Sequence, residues 1–317
     1  MQANPSEYCP YDVTDPLLQQ IGGTPIVSFE GAKHQNVFCK LESRNPTGSM
    51  KDRIALGLLL DQKQQGEYET IVEASSGNTA GSVAFVSNRL GFDCHVTLPE
   101  STSDQKKGYV RAFGAEIHEC PSVSQGHPEY YHTVAERLSD ELEAYFVNQY
   151  YNSGNPSVHY EWTGPEIWSQ IGEDLTHIVC PMGTGGTISG IARYLKEAVE
   201  NTEQQITIVG VDAENSNIST SFYEQDPVEY DTSVEGLGKG HELPTMWFEY
   251  IDEIRSVTDQ DAFATARAAS SNHGLLIGPS AGAALSVATE IGNNDPEAAV
   301  LSVVCDGAEQ YFDTLYV

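Results

Sequence analysis

Lysine is scarce in this chain, which makes the setting of one lysine informative. The run Asn45-Pro46-Thr47-Gly48-Ser49-Met50-Lys51-Asp52-Arg53 reads as a turn that delivers Lys51 to the first turn of a helix. There it is either a solvated surface residue or, beside a helix N-terminus and partly desolvated, an amine whose pKa falls toward that of a usable nucleophile.

Three Gly/Ser/Thr-rich segments sit where a strand ends and a helix begins, the place where open α/β sheets bind ligands. In Cys180-Pro-Met-Gly183-Thr184-Gly185-Gly186-Thr187 the glycines let consecutive N–H groups converge at a helix start, which suits phosphate as well as a plain tight turn. Asp212 closes the next apolar run at about the distance of a ribose-binding acid. The dinucleotide fingerprint nonetheless fails, because Ile188 stands at its third glycine. In Glu73-Ala-Ser75-Ser76-Gly77-Asn78-Thr79, short hydroxyl and amide side chains can gather around a carboxylate or merely cap a helix. In Gly278-Pro-Ser280-Ala-Gly282, Ser280 either caps a helix or donates to a ligand ring.

The elements that hold these segments alternate in texture. Apolar or β-branched runs at Glu69 to Val72, His95 to Leu98, His177 to Val179, Ile206 to Val211 and Val300 to Val304 read as strands. Amphipathic stretches at Ile54 to Lys63, Ala80 to Leu90, Thr187 to Ala198 and Gln260 to Ser271 read as helices. The alternation implies βαβ units, hence an α/β fold with mostly parallel sheets covered on both faces. Segments 121–129 and 149–165 read as irregular and are candidate domain junctions, and 212–247 reads as a functional loop region.

Composition excludes several classes. With 16 Lys+Arg against 46 Asp+Glu the formal net charge is −30, which repels nucleic acid and anionic membrane surfaces. The acidic residues are spread along the chain, and self-repulsion of such a shell is relieved by salt, so a halophilic source is expected. No apolar stretch approaches the roughly 20 residues of a membrane span, and no signal peptide is visible, so a cytoplasmic location is expected. Six cysteines without a C-x-x-C pair and nine scattered histidines predict free thiols and no metal site.

Taken in order, the four segments resemble those of fold-type II pyridoxal-phosphate (PLP) enzymes, the cysteine synthase and cystathionine β-synthase family. The resemblance runs from Ile21-Gly-Gly-Thr-Pro25, through Thr163-Gly-Pro-Glu-Ile-Trp168, to Asp306-Gly-Ala-Glu-Gln-Tyr311. It implies two domains, each a mostly parallel twisted sheet flanked by helices, with PLP in the cleft between them, as in the tryptophan synthase β-like fold. The smaller domain would span 44–150 and carry the Ser-Ser-Gly-Asn loop, while 1–43 plus 151–317 would form the larger, phosphate-binding domain.

The resemblance also implies roles. Lys51 would hold PLP covalently and remove the substrate α-proton; Gly183, Thr184, Gly185, Gly186 and Thr187 would cradle its phosphate. Asn78 would meet the ring hydroxyl and Ser280 the ring nitrogen. Ser75, Ser76, Gly77 and Thr79, with Gln149, would bind the substrate carboxylate, and Gly236 would line the site near the substrate amine. A serine at the ring nitrogen, unlike an aspartate, does not hold that nitrogen firmly protonated, which suits loss of a β-substituent over deeper carbanion chemistry.

The implied reaction is β-replacement through an aminoacrylate, foremost cysteine synthesis from O-acetylserine and sulfide, in a homodimer. Cystathionine formation, O-phosphoserine use, diaminopropionate-type synthesis and Ser/Thr dehydration keep the same cofactor, and a degenerate PLP-fold binding protein keeps only the scaffold. Three departures bear on the substrate. Ala74-Ser75 replaces the family's Pro-Thr before Ser-Gly-Asn, Gln310 stands where cysteine synthases carry arginine, and Lys239-Gly-His241 follows Gly238 where a sulfide-using enzyme is apolar.

Overall fold

The computed structural model describes residues 8–316. Along the chain β1 (Ile26–Ser28) and β2 (Val37–Leu41) are followed by α1 (Lys51–Gln65), β3 (Thr70–Ala74), α2 (Asn78–Leu90) and β4 (Asp93–Pro99). Next come α3 (Asp104–Ala112), β5 (Glu116–Cys120), α4 (Tyr131–Glu141), β6 (Tyr145–Phe146), α5 (Gly154–Val158) and α6 (Gly164–Ile171). The remainder is β7 (His177–Pro181), α7 (Gly186–Val199), β8 (Thr207–Ala213), α8 (Asn217–Phe222), β9 (Glu253–Val257), α9 (Asp259–His273), α10 (Pro279–Asn294), β10 (Val300–Val304) and α11 (Phe312–Leu315).

Two sheets result. One runs β1-β2-β10-β7-β8-β9 and the other β5-β4-β3-β6. Every named strand pair is parallel except β1 with β2. Central strands buried on both faces account for the uninterrupted apolar texture of Val300–Val304 and Ile208–Val211. Helix α1 packs Ile54, Leu56 and Leu59 into one core cluster with Ile71, Val83 and Val96 around the four-stranded sheet, and Leu18, Ile21 and Trp162 join it. Two further clusters cover the faces of the six-stranded sheet, one with α9 and α10 and the other with α7.

Segment 149–165 departs from its irregular reading. It contains α5 and a π-helical turn, His159–Thr163, that runs directly into α6. Pro156 and Pro165 fall in the first turns of α5 and α6, where a missing N–H breaks no helical bond, so both prolines are tolerated.

This helical segment completes a buried ion cluster that anchors α1. Arg53 pairs with Glu42 at 2.7 Å and Glu166 at 2.9 Å, Lys40 pairs with Glu166, and all four side chains are buried. Thr24 Oγ1 donates to Glu42 at 2.6 Å, and the amides of Gly23 and Thr24 donate to Glu166 at 3.0 Å. Two cations balance two anions, so no net charge is stranded. Removal of one partner would leave a buried charge uncompensated, at a cost of about 3–5 kcal/mol. The cluster gives the Gly-Gly-Thr-Pro and Gly-Pro-Glu-Ile segments their physical role: together they fix the root of the helix that begins at Lys51.

Candidate active site

In a parallel sheet all carboxyl ends lie on one edge, and here the carboxyl edges of both sheets face a single cleft of about 520 Å³. Lys51 reaches it as the first residue of α1, on a turn pinned by Met50 N–H donating to Cys305 O at 2.9 Å, just beyond β10. Asp52 holds the turn from the other side, accepting from Thr47 N–H at 2.8 Å and from the Thr47 hydroxyl. The lysine is half-buried, and no side chain among the described residues hydrogen-bonds or ion-pairs with its Nζ. Burial pushes its pKa down, toward the neutral amine that attacks an aldehyde.

Opposite it, Ser75, Ser76, Gly77, Asn78 and Thr79 line the cleft in the turn from β3 into α2. The N-terminal end of this 13-residue helix favours an anion through its unpaired amides and dipole. Thr79 Oγ1 donates to Gln149 Oε1 at 2.7 Å, which brings Gln149 from beyond β6 onto the same wall. Behind it Glu73 is buried with Oε2 unpartnered, and burial raises its pKa to about 8. Asn78 Nδ2 donates to Asp306 Oδ2 at 2.7 Å, and Tyr311 OH donates to the same oxygen at 2.6 Å.

The third wall is the turn from β7 into α7. Gly185, in the left-handed region at φ +77°, caps α7, a conformation that strains any residue with a Cβ. A Cβ on Gly183 would lie 2.3 Å from Gly236 O, so the loop and the Gly236 strap can approach only with glycine here. The amides of Gly183, Thr184 and Gly185 find no acceptor among the described residues. Asn155 donates to Thr184 Oγ1 at 3.2 Å, Thr245 Oγ1 to Thr184 O at 2.5 Å, and Thr187 Oγ1 lies 3.1 Å from His159 Nε2. Burial holds His159 at a pKa of about 3, so it supports the loop as a neutral imidazole.

Of the residues singled out from sequence, Lys51, Ser75, Ser76, Gly77, Asn78, Thr79, Gln149, Gly183, Thr184, Gly185, Thr187, Gly236 and Ser280 all line this cleft. Gly186 lies behind it, its Cα facing Asn155. Asp212, the acid of the dinucleotide alternative, points elsewhere and accepts from Ser219 N–H at 2.9 Å at the start of α8. Residues that sequence reasoning left without a role also line the cleft, among them Lys106, Tyr131, Tyr150, Glu235, Lys239 and Asp306. Of these, Asp306 had a visible signal as the first residue of the C-terminal motif, and Lys239 as a charged residue after Gly238 where a sulfide-using enzyme is apolar; the others carry none.

Two mostly parallel sheets that aim an unpaired lysine, a glycine loop of free amides and a hydroxyl-lined helix start at one cleft define a cofactor enzyme that holds a phosphorylated aldehyde. Residues 17–306 match the family model described as pyridoxal-phosphate dependent enzyme, and the chain belongs to that family. It is 32% identical over 305 residues to cysteine synthase B of Escherichia coli (strain K12), covering 94% of each chain. It is 34% identical to the cysteine synthase of Staphylococcus aureus (strain Mu50 / ATCC 700699), covering 95% of this chain and 96% of that one. Cystathionine beta-synthase of Apis mellifera is 35% identical over 93% of this chain, which spans 60% of that protein. Among solved structures, O-ureido-L-serine synthase superposes with a TM-score of 0.87 at 29% identity, covering 96% of both chains.

The site fits the cofactor these enzymes use. The free amides at 183–185 suit a phosphate, and Asn78 Oδ1 and Asp306 Oδ1 are buried without partners on the wall facing Lys51.

Proposed function

We propose that this enzyme performs β-replacement on an activated serine, foremost the formation of cysteine from O-acetylserine and sulfide. The observation that carries the reading is the unpaired Lys51 amine, set between an amide-rich loop at 183–187 and a hydroxyl-rich helix start at 75–79. Identity to cysteine synthases over nearly their full length supports the same reaction type. When bound, pyridoxal phosphate withdraws electrons from the substrate α-carbon.

The chain's own residues do the rest. Ser75, Ser76 and Thr79, with Gln149, hold the substrate carboxylate at the positive end of α2, and this orients the α C–H toward Lys51. The lowered pKa of Lys51 makes its Nζ competent to accept the α-proton and later return it. Gly183 to Thr187 anchor the phosphate, Asn78 accepts from the ring hydroxyl, and Ser280 at the start of α10 meets the ring nitrogen. Gly236 closes the amine side. We assign residues 44–150 to a smaller domain that carries the carboxylate loop and the remainder to a larger one, the active form being a homodimer in a salt-rich cytoplasm.

A second donor has its own support. Lys239 lies on the cleft wall with Nζ 4.9 Å from the Tyr150 ring centroid, and Tyr150 raises its pKa, so it remains cationic. A fixed cation there favours an anionic leaving group, as in O-phosphoserine, over a neutral acetyl ester. A panel of O-acetylserine, O-phosphoserine, and serine with homocysteine, each assayed for product, tests both readings. Highest kcat/KM with O-acetylserine and sulfide supports the first, and a preference for O-phosphoserine that is lost in Lys239→Met supports the second. Absence of β-replacement with every donor overturns both.

A further inference from the structure

Outside the cleft, one cluster of side chains has ligand chemistry and no part in the reaction. His95 on β4 and Glu116 and His118 on the edge strand β5 project from one face of the four-stranded sheet, and their ligand atoms all lie within 4.8 Å of one another. Strand pairing brings them together: His95 is the register partner of Glu116, and Thr97, two residues on, is the partner of His118. Residues two apart on a strand share a face, so the three side chains converge, although His95 is more than 20 residues from the others in sequence. None of the three lines the substrate cleft.

We propose that His95, His118 and Glu116 form a binding site for one divalent transition-metal ion of the zinc class. His95 Nδ1 and His118 Nε2 are 3.0 Å apart, and each is 3.8 Å from a Glu116 carboxylate oxygen. Two nitrogens bound to one tetrahedral zinc at about 2.0–2.1 Å stand about 3.3 Å from each other, so the pair needs to open by only a few tenths of an ångström. The more exposed Glu116 has the freedom to swing its carboxylate in, since its side chain is 67% exposed against 17% for His95 and 29% for His118. Imidazole nitrogens select zinc, cobalt or nickel over magnesium or calcium. Three protein ligands leave the fourth position to water, and the ion would tie the sheet's edge strand β5 to β4.

The test uses the full-length holoenzyme with any affinity tag removed. Zinc chloride titrated into it by calorimetry should saturate at one ion per chain. Weakening by about tenfold or more is expected in His118→Asn and His95→Asn, with a smaller loss in Glu116→Gln. Cobalt(II) serves as the second probe, because six free cysteines offer competing ligands. A nitrogen/oxygen site gives visible ligand-field bands without the near-ultraviolet thiolate charge-transfer band. Turnover should be the same in all three variants as in the parent. The proposal is overturned if the parent shows no saturable zinc binding, if the histidine variants bind as the parent does, or if cobalt reports thiolate ligation. Should a histidine variant fail to fold, the exposed Glu116→Gln and the parent cobalt spectrum still decide the matter.

Discussion

Asn78 and Asp306 lie 228 positions apart and meet through a 2.7 Å hydrogen bond from the Asn78 amide nitrogen to the carboxylate. The bond joins the start of α2, beside the four-stranded sheet, to the end of β10 in the six-stranded sheet. It also settles the orientation of the amide. With Nδ2 donating to Asp306, Oδ1 is left as a buried acceptor with no partner among the described residues, in a residue that lines the cleft.

Asp306→Ala should free the Asn78 amide to rotate and weaken cofactor retention. A loss of about tenfold in PLP affinity corresponds to about 1.4 kcal/mol, the scale of one charge-assisted hydrogen bond. Fluorescence titration of the apo-variant with PLP measures it. Affinity equal to the parent would mean that Asp306 does not orient Asn78.

Lys51→Ala should abolish turnover and covalent retention of the cofactor. Borohydride reduction followed by mass spectrometry reads the attachment directly, as a PLP-sized mass on the peptide containing residue 51 in the parent and none in the variant. A labelled peptide elsewhere, with turnover intact, would refute the assignment.

Glu73 carries a pH signature. Burial raises its pKa from the ordinary 4.5 to about 8, so the folded state holds a proton that the unfolded chain has already released. The stabilising contribution is full below about pH 4.5 and is lost as pH rises to about 8, a cost on the order of a few kcal/mol. Glu73→Gln removes this titration and keeps the shape and the contact to Gln149. Its melting temperature should match the parent near pH 5 and exceed it increasingly up to pH 8.5. Parallel melting curves across that range would show that the carboxyl ionises without penalty.

The charge of −30 predicts salt-dependent stability, because an unscreened acidic surface repels itself. The Debye length falls from about 10 Å at 0.1 M to about 3 Å at 1 M, so the melting temperature should rise markedly between those KCl concentrations. Calorimetric scans that superimpose at both concentrations would leave the halophilic reading without support.

The sequence by itself determined the local grammar of this protein. Val300–Val304 and the runs around Ile71 and Ile208 read correctly as buried strands because a strand covered on both faces must be apolar throughout. The turn-to-helix placement of Lys51, Asn78 and Gly186 was legible because glycine and short polar residues have narrow local uses. What tertiary structure decided is which of these local pieces face one another. Glu166 was only a letter in a Gly-Pro-Glu-Ile motif until its packing against Arg53 and Lys40 made it the keystone of a buried ion cluster. The helical course of 154–165 emerged only with burial of Trp162 and Asn155, since segment 149–165 read locally as irregular. Lys239 entered the substrate cleft, and His95 met His118, through strand pairing and loop return over distances that no sequence window spans. Local signals are set by backbone sterics and periodicity within a few residues, whereas charge pairing and ligand convergence depend on contacts that close only when both sheets are assembled.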